Sequence, residues 1–178
     1  MKSIKLMMAA TAISLSVLQP GVLHAQDKDK IMQDSKEART SFVKTDPSMQ
    51  QLFSKSHAYV IFPNIGKGGL VVGGAGGNGT VYQNGKAIGT ANMVQATIGA
   101  QAGGQAYREV IFFENKEALD RFKDNKFEFS GQVSAVAVKS GVSDNAKYRE
   151  GVSVFTEEKG GLMAEASVGG QKFTYKAL

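Results

Sequence analysis

Between Gly66 and Gly104 the chain reads GKGGLVVGGAGGNGTVYQNGKAIGTANMVQATIGAQAGG, and 13 of these 39 residues are glycine. Glycine loses more backbone freedom on ordering than any other residue, so this density needs a geometric reason. Two arrangements supply one: a loop whose bare amides cradle a phosphate, or a sheet whose backbones approach closer than a Cβ allows. The window Gly74-Ala75-Gly76-Gly77-Asn78-Gly79 fits G-x-G-x-x-G and follows the apolar run Leu70-Val71-Val72. A dinucleotide site needs a helix directly after that window and an acid about 20 residues further on. Here Thr80-Val81-Tyr82 runs into Asn84-Gly85, and no Asp or Glu occurs between Gly79 and Glu109. There is no G-K-[ST] triplet either: Gly66-Lys67 precedes glycine and Gly85-Lys86 precedes alanine. The glycines therefore read as sheet geometry, and nucleotide binding is not expected.

The surrounding periodicities agree with a sheet. Ala58 to Phe62 is a β-rich run closed by Pro63-Asn64, and Leu70 to Val72 opens a second strand. Asn78-Gly79 and Asn84-Gly85 are turn signals, with Thr80-Val81-Tyr82 a short strand between them. From Met93 to Gly104 the pattern alternates, Val94, Ala96, Ile98, Ala100 and Ala102 against Gln95, Thr97, Gly99, Gln101 and Gly103. Small residues on both faces suit a bent sheet or one closed upon itself. Tyr107 to Phe113, Phe127 to Phe129, Val133 to Val138 and Val152 to Phe155 are further strands, Ser140 to Arg149 is a loop, and Leu162 to Tyr175 is a closing hairpin or long bent strand. Lys67-Gly68-Gly69-Leu70 is echoed by Lys159-Gly160-Gly161-Leu162 without a fixed period, so the chain is not a solenoid.

Helices precede and interrupt this region. Ile31, Ser35, Ala38 and Phe42 form one stripe of a helix over Asp27 to Lys44, with acids early and bases late as the macrodipole favours. Asp46 and Pro47 start a second helix that reaches Lys55 and buries Met49, Leu52 and Phe53. Asn115 caps a third over Lys116 to Lys123, with Ala118, Leu119 and Phe122 inward. The fold class expected is α+β: N-terminal helices packed on a strongly twisted, glycine-rich, mainly antiparallel sheet, open or barrel-like.

Residues 1–25 read as a cleaved secretory signal peptide: basic Lys2 and Lys5, an apolar run from Leu6 to Leu18, helix-breaking Pro20-Gly21, and Ala25 before the cut. That run is too short to span a bilayer comfortably, which takes about 20 residues. Residues 26–178 then form a single domain, exported to the periplasm or secreted. Removing Lys2 and Lys5 lowers the formal charge from +5 to +3, which by itself does not indicate nucleic acid. The chain has no cysteine, which excludes thiol catalysis and cysteine metal sites. His57 is the only histidine beyond the leader, no G-x-S-x-G elbow occurs, and the carboxylates are dispersed. No enzyme, metal site or cofactor is expected from this inventory.

Four segments in order, AYVIFPNIGKGGLVVGGAGGNGTVY, QATIGAQAGGQAYREVIFFENKEALDRF, FEFSGQVSAVAV and KGGLMAEASVGGQKF, give the chain its resemblance to a known family. From about His57 to Phe173 it resembles the SYLF family, the Ysc-type actin-binding or lipid-binding domain. The eukaryotic W-S-x-P segment is replaced here by Ala87-Ile88-Gly89-Thr90. The resemblance implies a non-catalytic lipid-binding module of an exported bacterial branch. It would recognise anionic phospholipid or phosphoinositide-like head groups on a membrane surface. The alternative is a structural or stress-related envelope protein that engages another protein. The residues expected to contact lipid are Lys67 with Gly68 and Gly69, whose amides would form an anion-binding nest, Lys159 before a second glycine pair, and the helix cations Lys36 and Arg39.

Overall fold

A computed structural model describes residues 20–69, 72–98, 105–125, 127, 129, 133–159 and 170–178. Two helices lead into the sheet, α1 (Pro20–Thr45) and α2 (Met49–Lys55). Four long strands follow, β1 (Ala58–Gly69), β2 (Val72–Gln83), β3 (Lys86–Ile98) and β4 (Gln105–Phe113). Then come α3 (Lys116–Lys123), β5 (Ala135–Ala137), β6 (Val152–Glu158) and β7 (Gln171–Ala177). The seven strands form one sheet in the order β5-β6-β4-β1-β2-β3-β7, antiparallel except for the β5–β6 pair. The class is α+β as expected. The sheet stays open, with β5 and β7 at its edges, so the barrel-like form is set aside.

The sheet nevertheless curls strongly. Gln171 on β7 donates to Glu109 on β4 at 3.0 Å although three strands lie between them, and the rings of Phe62 and Phe173 meet at 5.8 Å. The inner face buries Phe62, Ile65, Met93, Ile111, Phe113 and Phe173 against α3, whose Ala118, Leu119 and Phe122 are the inward residues that its spacing predicts. Asn115 Oδ1 accepts from the Ala118 amide at 3.0 Å, the cap foreseen for this helix. On the outer face α1 and α2 lay Ala38, Phe42, Met49 and Phe53 over Tyr59, Ile61, Tyr82, Val110, Phe112 and Phe155.

Several local expectations give way to tertiary structure. Pro20 and Gly21 lie within α1 rather than breaking a helix. Pro63-Asn64 does not close β1. The strand continues to Gly69 through an irregularity in register between Phe62 and Ile65, where a residue without an N–H is tolerated. That bulge explains the glycines opposite. A Cβ on Gly79 would stand 2.5 Å from the Ile61 carbonyl oxygen, and one on Gly77 would stand 2.6 Å from that of Asn64. Asn78-Gly79 is therefore no turn but mid-strand, in register with Asn92 and Ala91. Asn84 and Gly85 do form the two-residue hairpin turn, with φ of 51° and 74°.

The remaining departures are smaller. Phe127 and Phe129 are buried rings of the inner core outside any strand, and the strand expected over Val133 to Val138 contracts to Ala135–Ala137. The expected loop Ser140 to Arg149 contains a short 3₁₀ turn, Ser143–Asn145. Leu70, Val71, residues 99–104, residues 160–169 and the leader to position 19 lie outside the described residues.

Candidate anion-binding surfaces

The six residues expected to contact lipid are not gathered at one place. Gly66 to Gly69 is extended strand, in register with β2 throughout and, at Gly66 and Lys67, with β4 as well. Its amides belong to a ladder rather than to a concave nest, which corrects the expectation for Lys67, Gly68 and Gly69. Lys159 follows β6 directly: its amide donates to the Ala106 carbonyl at 2.9 Å and its Nζ to Asn64 Oδ1 at 3.5 Å. Ala106 is the β4 partner of Gly66, so Lys159 and Lys67 reach the same end of the sheet. They occupy adjacent rows, however, and adjacent rows of a pleated sheet belong to opposite faces.

The two rows differ in character. One runs Lys159, Ala106, Gly66, Gly76, Val94, Lys172 across β6, β4, β1, β2, β3 and β7. Gly66, Lys172 and Lys159 are exposed along it, and Val94 is 52% exposed. Its middle has almost no side chains, and a lysine stands at each end. The other row, through Lys67, contains Ala75, Gln95 and Gln171, all buried.

The helix cations lie elsewhere. Ser35 hydrogen-bonds Thr80 Oγ1 at 3.1 Å and the Ile61 carbonyl at 3.4 Å, which seats α1 on β1 and β2. Lys36 is exposed on this helix. Arg39 reaches the other end of β1, where its guanidinium carbon lies 5.0 Å from the Phe53 ring centroid and its Nη2 donates to Gln50 Oε1 at 3.4 Å. Tyr59, which shares that cavity with Arg39, is eight residues from Lys67 along β1, or roughly 26 Å of strand.

Around Arg39 there is a cavity of about 430 Å³, lined also by Phe53, Ser54, Ser56, Tyr59, Asn84 and Gly85. Tyr59 stacks on Tyr82 with centroids 5.1 Å apart, and burial pushes the Tyr59 phenol up while the Arg39 charge opposes it. Sequence reading selected Arg39 as a helix cation and Asn84-Gly85 as a turn, but it did not join them. The available signal was weak: an arginine directly after the apolar stripe residue Ala38. His57 is tied to Gln83, its Nε2 lying 2.9 Å from the amide nitrogen. Among the described residues no group of three or more His, Asp or Glu is placed to hold a metal ion.

Residues 94–177 match the family model described as Ysc84, Las17-binding protein actin regulator. The chain belongs to the SYLF (Ysc84) family. A curated relative, Beta cell expansion factor A from Aeromonas veronii, is 30% identical over 128 residues, which is 71% of this chain and 49% of that protein. The chain thus spans about half the length of this SYLF relative. The matched segment begins on β3 and includes β4, α3, β6 and β7, so it holds Lys159 and Lys172 but neither Lys67 nor Arg39.

Proposed function

We propose that this SYLF protein is an exported, non-catalytic module that docks on anionic membrane surfaces through the outer row of the sheet. The observation that carries this reading is the row itself, with Lys159 and Lys172 exposed at its ends and Gly66, Gly76 and Val94 between. A strip of backbone with few side chains lets a lipid surface approach closely, and lysines near such a surface contribute about 1 kcal/mol each. Lys36 on α1 adds to the same long-range attraction. No helix among the described residues is long and apolar enough to cross a membrane, so docking would be peripheral. Export belongs to the proposal through the leader. Its cut after Ala25 falls within α1, and the mature protein would keep the helix from Gln26 onward.

The test is co-sedimentation of the mature protein with phosphatidylglycerol vesicles. Binding is expected at low salt and weakens as salt rises. A Lys159→Gln, Lys172→Gln double variant should bind roughly 25-fold more weakly, from two contributions of about 1 kcal/mol. Absence of binding at low salt overturns the reading. Recovery of one stoichiometric envelope protein without lipid would replace it with a protein-docking role.

A further inference from the structure

We propose that the Arg39 cavity is a receptor for one phosphate monoester group, a site separate from the outer row of the sheet. The proposal does not need the membrane reading. It rests on what the guanidinium lacks. Arginine carries five N–H donors and is never neutral in a protein. Arg39 is half-buried, and among the described residues its buried Nε has no hydrogen-bond partner and its one hydrogen bond is the long contact to the neutral Gln50 amide. Among the described residues no carboxylate pairs with it. A half-buried cation without an anion gives up part of its hydration, and the Phe53 ring replaces only a small part of that.

The lining supplies what an anion would use. Asn84 brings an amide, and no acidic residue lines the cavity. The Ser54 hydroxyl donates to the Gln51 carbonyl at 3.0 Å and the Ser56 hydroxyl meets that of Tyr148 at 2.8 Å, so each would turn toward an anion by rotating its hydroxyl. Groups able to donate line the cavity from three elements: the guanidinium from α1, the hydroxyls from the end of α2 and the segment after it, and Asn84-Gly85 from the β2–β3 turn. Convergence from several directions suits a tetrahedral oxyanion better than a planar carboxylate, which a guanidinium fork alone would satisfy. Phe53 and Tyr59 form a buried aromatic floor. The turn contributes a second feature: the position of a Cβ on Gly85 is open space, so its backbone can be approached without a side chain in the way.

The phosphate could belong to a lipid head group or to a soluble ester, and the experiment separates the two. Glycerol 3-phosphate and vesicles containing phosphatidic acid are titrated in parallel into the mature protein, followed by amide NMR shifts and calorimetry. Saturable shifts at Asn84, Gly85 and Ser54 are expected with at least one probe. Response to glycerol 3-phosphate marks a soluble ester as sufficient, whereas response to vesicles alone marks a lipid head group. Arg39→Gln should weaken that binding at least tenfold. Ser54→Glu, which puts an acid at an exposed position of the rim, should abolish it without touching the core. Lys159→Gln should leave it unchanged even if docking on phosphatidylglycerol is lost. Unaltered affinity in a folded Ser54→Glu variant, or no shift at these residues with either probe, overturns the proposal.

Discussion

Two carboxyl groups have almost no solvent contact in this protein, Asp46 at 1% exposure and Glu109 at 0%, yet their surroundings drive them in opposite directions. Asp46 sits where α1 ends. Burial pushes its carboxyl up, but the side chain of Ser48, the amide and hydroxyl of Ser143 and the amide of Gly141 together hold it well below the usual carboxylate range. These donors lie 2.5 to 3.2 Å from its oxygens, the Ser48 amide among them. Glu109 lies on the inner face of the sheet with one amide donor, Gln171 at 3.0 Å, and its Oε1 has no hydrogen-bond partner. Burial raises it to about 7, against the opposing Gln171 bond. The contrast teaches that a carboxyl closed off from solvent keeps its charge when donors surround it near the surface and loses it deep in the core with one donor. Asp46 is a charged clamp that joins the α1–α2 corner to the 141–143 loop, whereas Glu109 is an acid that the core prefers neutral.

The largest way to break this comparison is to discharge the clamp. Asp46→Asn keeps the shape but turns an acceptor of several hydrogen bonds into a group that faces donors with a donor. Charge-assisted bonds of this kind contribute about 1.5–3 kcal/mol each. A loss of about 4 kcal/mol in urea unfolding at neutral pH is expected, and a loss below about 1 kcal/mol would remove Asp46 from this role.

Next in size is Glu109→Gln, which should stabilise. The Glu109 carboxyl rises from an ordinary value of 4.5 to about 7 in the folded state. The folded protein therefore binds the proton more tightly than the unfolded chain. This contribution is full below pH 4.5 and is lost as pH rises through 7, on the order of 3 kcal/mol in all. The variant should melt higher than the parent at pH 8 and show no such gain near pH 4. Asp46 has the reverse sign: its folded value is depressed, so its stabilisation is present above its ordinary value of 3.8 and falls away in stronger acid. The parent's melting temperature should thus peak in mild acid, and each variant should erase one flank of that peak.

The smallest effect sharpens the clamp itself. Ser143→Ala removes one hydroxyl donor at 2.7 Å and leaves the amide bonds of Ser143 and Gly141 in place. About 1.5 kcal/mol of stability should be lost. The same change made on Asp46→Asn should cost clearly less, which a double-mutant cycle measures.

The clamp and the buried acid were not equally visible in the sequence. Asp46 before Pro47 reads as a helix start, because short acids cap and proline opens, but α2 begins at Met49 with Ser48 in the cap position. Its link to Gly141 and Ser143 spans more than 90 residues, and no local pattern encodes it. Glu109 looked like one more polar residue in YREVIFF. Only the curl that brings Gln171 over β4 makes it a core acid. The site residues divide in the same way. Lysines beside glycines were readable as cations near bare backbone, but the faces they occupy were not. A one-residue difference in register puts Lys67 and Lys159 in rows of opposite face, and the Phe62–Ile65 irregularity in β1 lies just before that end.

The glycine-rich stretch shows where sequence stops and tertiary structure begins. By itself the sequence determined that Gly66 to Gly104 is not a nucleotide loop, since the helix and acid that such a loop requires are missing. It also determined the α+β class, the stripe of α1, the cap of α3 and the Asn84-Gly85 turn, all of which depend on neighbours in the chain. Tertiary structure alone decided that Asn78-Gly79 is mid-strand, because the reason for that glycine is the Ile61 carbonyl of another strand. It decided the open curl of the sheet, the two buried acids and the cavity around Arg39 for the same physical reason: each depends on distances between segments that local propensity does not fix.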